Sequence, residues 1–130
     1  MSQENVEVVR DVIEAQQRRD WQAFRKLYDP GIEWRDDSGL WGDWGTRRGF
    51  QAVRGQWFEA FDRVSFEIED VVAAGDDVVT SILISARGRV SGLVIEQRIP
   101  TVWTVQRGRV VRVRGYRDEA EALEAVGLRG

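Results

Sequence analysis

A chain of 130 residues with 42% apolar and 32% charged side chains has the balance of one globular domain, able to bury roughly two-thirds of its extended surface in a single core. Nineteen basic residues against 22 acidic ones give a net charge of −3, with the bases scattered among acids, so nucleic acid is not an expected partner. Histidine and cysteine are both absent, which removes the usual ligands of zinc and most transition metals together with histidine bases and thiolate nucleophiles. Only a weak carboxylate site for magnesium or calcium stays open, and nothing requires a cofactor.

Ser2 to Arg19 carries Val6, Val9 and Ile13, with Val8 and Val12 beside them, at helical spacing, while Glu4, Glu7, Arg10 and Glu14 fill the opposite side. The pattern predicts an amphipathic helix. Asp20 is placed to cap a second, short helix in which Trp21, Phe24 and Leu27 or Tyr28 share a face, and Pro30 is expected to close it. Ile32 to Asp37 reads as a strand. The segment from Ser38 to Gly49, which holds Gly39, Gly42, Gly45 and Gly49, reads as a loop containing Trp41 and Trp44. Phe50, Val53, Trp57 and Phe61 then recur at helical spacing, predicting a third helix to about Asp62.

Beyond Arg63 the pattern becomes β-branched runs separated by turns: Ser65 to Ala74, Val78 to Val90, Leu93 to Val105 and Arg109 to Tyr116. Four such strands with short connections predict an antiparallel meander. Asp118 and Glu121 have capping-box spacing, and Gly127 with Leu128 after Leu123 predicts a Schellman-type end, so a short helix closes the chain. Helices segregate to one side of an antiparallel sheet, an α+β arrangement. No apolar run approaches the ~20 residues of a membrane span, and the N-terminus lacks the basic-then-apolar pattern of a secretory leader. A cytoplasmic location is expected.

This order of elements, with the segments IEWRDD, GDDVV, VWTVQRGRVVRVRGY and RDEAEALEAVGL, resembles the SnoaL-like branch of the nuclear transport factor 2-like superfamily across nearly the whole chain. The resemblance implies a cone: a curved antiparallel sheet wrapped by about three N-terminal helices and a short C-terminal one, enclosing one pocket. Members include ketosteroid isomerases, epoxide hydrolases, polyketide cyclases, dehydratases and proteins that only bind, so fold alone does not choose the chemistry.

Strand alternation puts Trp34 and Asp36 on one face and Glu33 and Arg35 on the other. The stretch from Asp20 to Asp36 is similar to that of ketosteroid isomerases without a gap, and Asp36 falls where that family has its proton-abstracting aspartate. An apolar wall would raise its pKa and make it a better base; the competing reading is a loop cap or an ion pair with a nearby arginine. The positions of the isomerases' two hydrogen-bond donors look like Val12 and Pro100, neither of which can donate from its side chain. The epoxide hydrolases' water-activating aspartate corresponds to Gly115, and the histidine of dehydratases and some cyclases is missing.

Glu96 and Arg98, two apart on a strand, form a second polar pair. If the isomerase register holds at Pro100 they face the pocket, where arginine would stabilise an oxyanion and Glu96 orient it or move a proton; otherwise they make an exposed ion pair. Tyr28, Trp34, Trp57 and Phe61 read first as core, and they, with Val113 and Gly115, are candidates for a ligand-facing wall, because an apolar pocket and a core use the same residues. Trp41 and Trp44 read as a lid or mouth, or as dimer packing. Arg112, Arg114 and Trp103 suggest a homodimer through the outer face of the sheet, as the family commonly forms. The expected partner is a small, largely apolar molecule, acted on by acid–base chemistry at Asp36 assisted by Arg98, or merely bound.

Overall fold

The computed structural model describes residues 2–36 and 59–128, with residues 2, 30 and 34–36 described through their backbone. Among them, α1 (Ser2–Gln17) and α2 (Trp21–Lys26) precede β1 (Tyr28–Asp36), which is followed after residue 60 by β2 (Phe61–Ala74), β3 (Asp77–Gly88), β4 (Val94–Gln106), β5 (Arg109–Gly115) and α3 (Glu119–Ala125). The sheet has the order β1-β5-β4-β3-β2. β2 to β5 form the expected antiparallel meander, whereas β1 joins β5 in parallel, so the curved and unclosed sheet is mixed.

α1 lies on one face because its stripe is apolar: Val6, Val9, Val12, Ile13 and Ala15 are buried. They pack with Phe24, Tyr28, Ile32, Val78, Ile82, Ile84, Ile99, Trp103, Val105, Val110 and Val113 in the principal core. This is the inner face. Gln17 ties the helix to the sheet, its Oε1 accepting from the Phe66 N–H at 2.7 Å. The opposite, outer face carries a smaller core in which Val79 and Val102 receive Ala122 of α3, flanked by Tyr116, Leu123 and Val126.

α3 is built as its sequence predicts. The Asp118 side chain accepts from the Glu121 N–H at 2.8 Å, and the Gly127 and Leu128 N–H groups donate to the carbonyls of Glu124 and Leu123 at 3.0 and 2.8 Å. Gly127 has a φ of +81°, the left-handed geometry that a Schellman cap requires. At the other end of the chain Asp20 caps α2 by accepting from the Ala23 N–H at 3.2 Å.

Three expectations are corrected. α2 ends at Lys26, and the chain enters β1 at Tyr28, so Pro30 does not close a helix but lies in a strand. Among the described strands β1 is the outermost, with a register shift between Tyr28 and Glu33, and proline is tolerated at sheet edges and irregularities because a ladder N–H is dispensable there. Phe61 does not end a helix: residues 59–60 are helical and Phe61 opens β2 opposite Gly88. The Asp62–Arg87 pair next to it, joined by two hydrogen bonds of 3.1 Å, supports strand pairing over helical spacing. Trp103, expected on the outer face with Arg112 and Arg114, is buried in the inner core, being the register partner of Val78 and Val113. Trp41, Trp44 and Trp57 lie outside the described residues. No described helix is long and apolar enough to cross a membrane.

Candidate functional site

The faces of β1 are fixed by its described side chains. Ile32 belongs to the inner core, while the next residue, Glu33, accepts from Arg112 Nε on the outer face at 3.3 Å. Alternation then assigns positions 34 and 36 to the phase of Ile32. The backbone register agrees: Trp34 is the partner of Val113 and Asp36 that of Gly115, and Val113 is buried in the inner core.

Following the register across the sheet gives two adjacent rows. Trp34, Val113, Trp103 and Val78 make one; Asp36, Gly115, Thr101 and Thr80 make the next. The first is entirely apolar apart from its indole nitrogens. The second is polar at every position that has a side chain, and Thr80 and Thr101 are the buried polar residues of the described chain. Trp103 Nε1 donates to Thr80 Oγ1 at 2.8 Å, the kind of partner a buried indole N–H requires. Thr101 Oγ1 donates to the Ile99 carbonyl at 3.2 Å. Gly115 is buried yet does not have a positive φ; nothing in its own backbone conformation calls for glycine, and a glycine inside a strand commonly marks close approach by another group.

Glu96 and Arg98 are not brought to this row. Their partners in β3 are Ser85 and Leu83, in the phase of Pro100 and Val102 and opposite to that of Ile99, Thr101 and Trp103. Arg98 reaches across β3 to Glu69, with Nε–Oε1 at 2.7 Å and Nη2–Oε2 at 3.3 Å. That hydrogen bond and the attraction of Glu69 hold the guanidinium pKa above its usual value. Glu96 Oε2 accepts from Ser85 Oγ at 3.5 Å. Pro100 thus lies on the outer face, and Thr101 is the neighbouring residue on the inner one.

The aromatic candidates divide similarly. Tyr28 is buried against Phe24, ring centroids 4.7 Å apart, and Trp21 meets Phe24 edge-on at 5.6 Å, so Tyr28 is a core residue beneath α2. Phe61 is half-buried at the far end of β2. On the outer face the Arg114 guanidinium stands 5.9 Å from the Tyr116 ring, and its Nε is buried without a hydrogen-bond partner among the described residues. No group of three or more acidic side chains suited to a metal ion occurs among the described residues.

Thr80, Thr101 and Trp103 were not singled out as inner-face polar groups from sequence. A signal was present: in β4 the phase of Glu96 and Arg98 carries both charges, so the other phase, Ile95, Gln97, Ile99, Thr101, Trp103 and Val105, is the better inward one.

Solved structures share this architecture. AclR from Streptomyces galilaeus superposes with a TM-score of 0.79 at 16% identity over 98% of each chain. A protein from Jannaschia sp. CCS1, named as a SnoaL-like polyketide cyclase, gives 0.76 at 21% identity, over 96% of this chain and 92% of that one. A protein of ketosteroid isomerase-like fold from Catenulispora acidiphila, in complex with trimethylamine, gives 0.73 at 15% identity, over 94% and 93%. At these identities the likeness is one of fold. No curated protein matches the sequence significantly. The model of the SnoaL-like domain matches residues 9–113, from the middle of α1 to the middle of β5, and the chain therefore belongs to the SnoaL-like domain family.

Proposed function

We propose that this SnoaL-like domain is a cofactor-independent enzyme that moves a proton on a small, largely apolar molecule, in isomerase, cyclase or lyase chemistry, with Asp36 as the base. The observation that carries the reading is the register of Asp36 beside a buried glycine, in the phase of the inner core. Position 36 shares its phase with the apolar row of Val113 and Trp103, and an apolar wall disfavours a charged carboxylate, which would raise its pKa and its strength as a base. In the reaction the carboxylate takes a proton from carbon next to a carbonyl. The C–H electron pair becomes a C=C bond, the carbonyl π pair moves to oxygen, and return of the proton to the same or another carbon regenerates Asp36. Glu96 and Arg98 take no part in this reading, since both belong to the outer face.

The family includes polyketide cyclase- and isomerase-type proteins, and the Catenulispora neighbour holds a small organic molecule, which agrees with a small-molecule ligand. A cytoplasmic homodimer joined through the outer face, where Arg112 and Arg114 stand, belongs to the same proposal. The rival reading is a binding domain without chemistry, favoured by Val12, which is a fully buried core residue, and by Pro100, neither of which donates a hydrogen bond. Exchange of the α-protons of 2-tetralone in D2O, followed by proton NMR, separates the two. The enzyme reading expects exchange above the buffer rate and a loss of roughly 100-fold or more in Asp36→Asn; exchange that is absent, or equal in the two proteins, supports the binding reading.

A further inference from the structure

The seat of α3 on the outer face is small. Ala122 is its buried residue, set on Val79 and Val102, with Val72, Tyr116, Leu123 and Val126 around it. A helix of seven residues does not persist in water by itself. When α3 leaves the sheet it therefore unfolds, and its amides lose protection as a unit.

The register shows what borders this seat. Val72, Val79 and Val102 make one outer row, and Asp70, Ser81 and Pro100 make the next. The Tyr116 N–H donates to the Pro100 carbonyl at 2.8 Å; the chain then passes through Arg117 and Asp118 into α3, whose first residue, Glu119, meets Asp70. Two exposed carboxyls thus face each other at the seam between α3 and β2. Asp70 Oδ1 also accepts from the Val71 N–H at 3.0 Å. The charges around them are engaged elsewhere: Glu69 of β2 with Arg98 of β4, Asp77 of β3 with Thr104, and Arg114 of β5 beside the Tyr116 ring. α3 adds only the acids Glu121 and Glu124, and no ion pair among the described residues includes Asp70, Glu119 or Arg117. The hydrogen bond shared with Asp70, then burial, then repulsion hold the Glu119 pKa above its ordinary value.

We infer that Asp70 and Glu119 are a proton-operated clasp on α3: the pair fastens the helix to the outer face while it shares a proton, and α3 opens more often once both carboxyls are ionised. The docked state binds that proton more tightly than the open one. Docking is therefore strongest below pH 4.5 and weakens as the pH rises through the raised pKa. The first turn of a helix by itself favours negative charge, an effect of opposite sign that Glu121 shares. Glu121 thus serves as the control for the pair. The inference depends neither on Asp36 nor on a ligand.

Amide hydrogen exchange of the full chain between pH 4 and 7, corrected for the intrinsic rates, tests this at Ala122, Val126 and Gly127, whose N–H groups are bonded within the helix and its cap. Their opening constant should rise roughly two- to fivefold over that range, the effect of one close pair of like charges, while the Trp103 amide of β4 does not follow. Asp70→Asn, which keeps an acceptor for the Val71 N–H, and Glu119→Gln should each abolish the rise; Glu121→Gln should retain it. A flat wild-type profile, a rise shared equally by Trp103, or a rise that survives in Asp70→Asn and Glu119→Gln would overturn the clasp. So would its loss in Glu121→Gln, which would assign the effect to the helix end and not to the pair.

Discussion

Thr80 and Thr101 look interchangeable in sequence, and the structure separates them by what each hydroxyl holds. Removing the Thr80 hydroxyl takes away the acceptor that the Trp103 indole N–H has in this buried setting, a loss of about 1–3 kcal/mol. Thr80→Val should therefore lower the unfolding free energy by that amount in urea titration, whereas Thr101→Val should change it by less than about 1 kcal/mol. Equal effects would mean that the 2.8 Å bond is not what stabilises this part of the core. A second residue-scale expectation concerns the β4–β5 turn. Arg107 and Gly108 both have positive φ, +54° and +76°, between the paired residues Gln106 and Arg109, as in a two-residue type I′ hairpin turn. Arginine is a poor occupant of that first position. Arg107→Asn should stabilise the protein by about 0.5–1 kcal/mol, read as a higher melting midpoint; a fall would show that the arginine side chain makes a compensating contact.

Among the elements, α3 is the most completely specified by local sequence. Its cap, its Schellman end and its contact with the outer face through Ala122 all lie between Asp118 and Leu128. Asp118→Ala should cost about 1 kcal/mol through the lost cap. Glu119, in the first turn, lies beside Asp70 of β2. Sharing a hydrogen bond with that carboxyl, then desolvation, then repulsion by Asp70 hold the Glu119 pKa above its ordinary value of 4.5. The folded protein thus binds this proton more tightly than the unfolded chain. The resulting stabilisation is complete below pH 4.5 and is lost as pH rises through the raised pKa. Glu119→Gln removes that dependence, so the variant should gain on wild type in thermal melts as pH increases from 4 to 7. A constant difference across that range would mean that the two carboxyls do not share a proton.

β1 and β2 show what local patterns miss. Proline disfavours helical geometry at the residue before it and so reads as a helix stop, yet Pro30 sits in a strand whose parallel partner is some eighty residues away in sequence, and no local signal announces that pairing. The Trp57 and Phe61 spacing reads as a helix, but Phe61 is drawn into β2 by its pairing with β3.

For the molecule as a whole, the order of elements and the meander were legible because turns and caps are short-range signals: Gly75, Gly108 and Gly127 all adopt the positive φ that their motifs need. The site was legible only in part. The backbone register puts position 36 in the phase of Ile32 and opposite to that of Glu33. Glu96 and Arg98 lie on the outer face, because a strand has two faces and one residue of register exchanges them; anchoring that register on Pro100 selected the outer phase. Arg98→Ala should accordingly leave both 2-tetralone exchange and folding cooperativity unchanged, and a large loss of exchange would return Arg98 to the site. The gathering of Asp36, Gly115, Thr101 and Thr80 into one row draws on four strands and could not be read from any one of them.

The central claim is that Asp36 is a base in a poorly solvated wall, and its titration tests this most directly. Carbon-detected NMR of the carboxyl, assigned by comparison with Asp36→Asn, should give a pKa well above the ~3.9 of a solvated aspartate. A value at or below ~3.9 would place Asp36 in water or in an ion pair and contradict its role as the base.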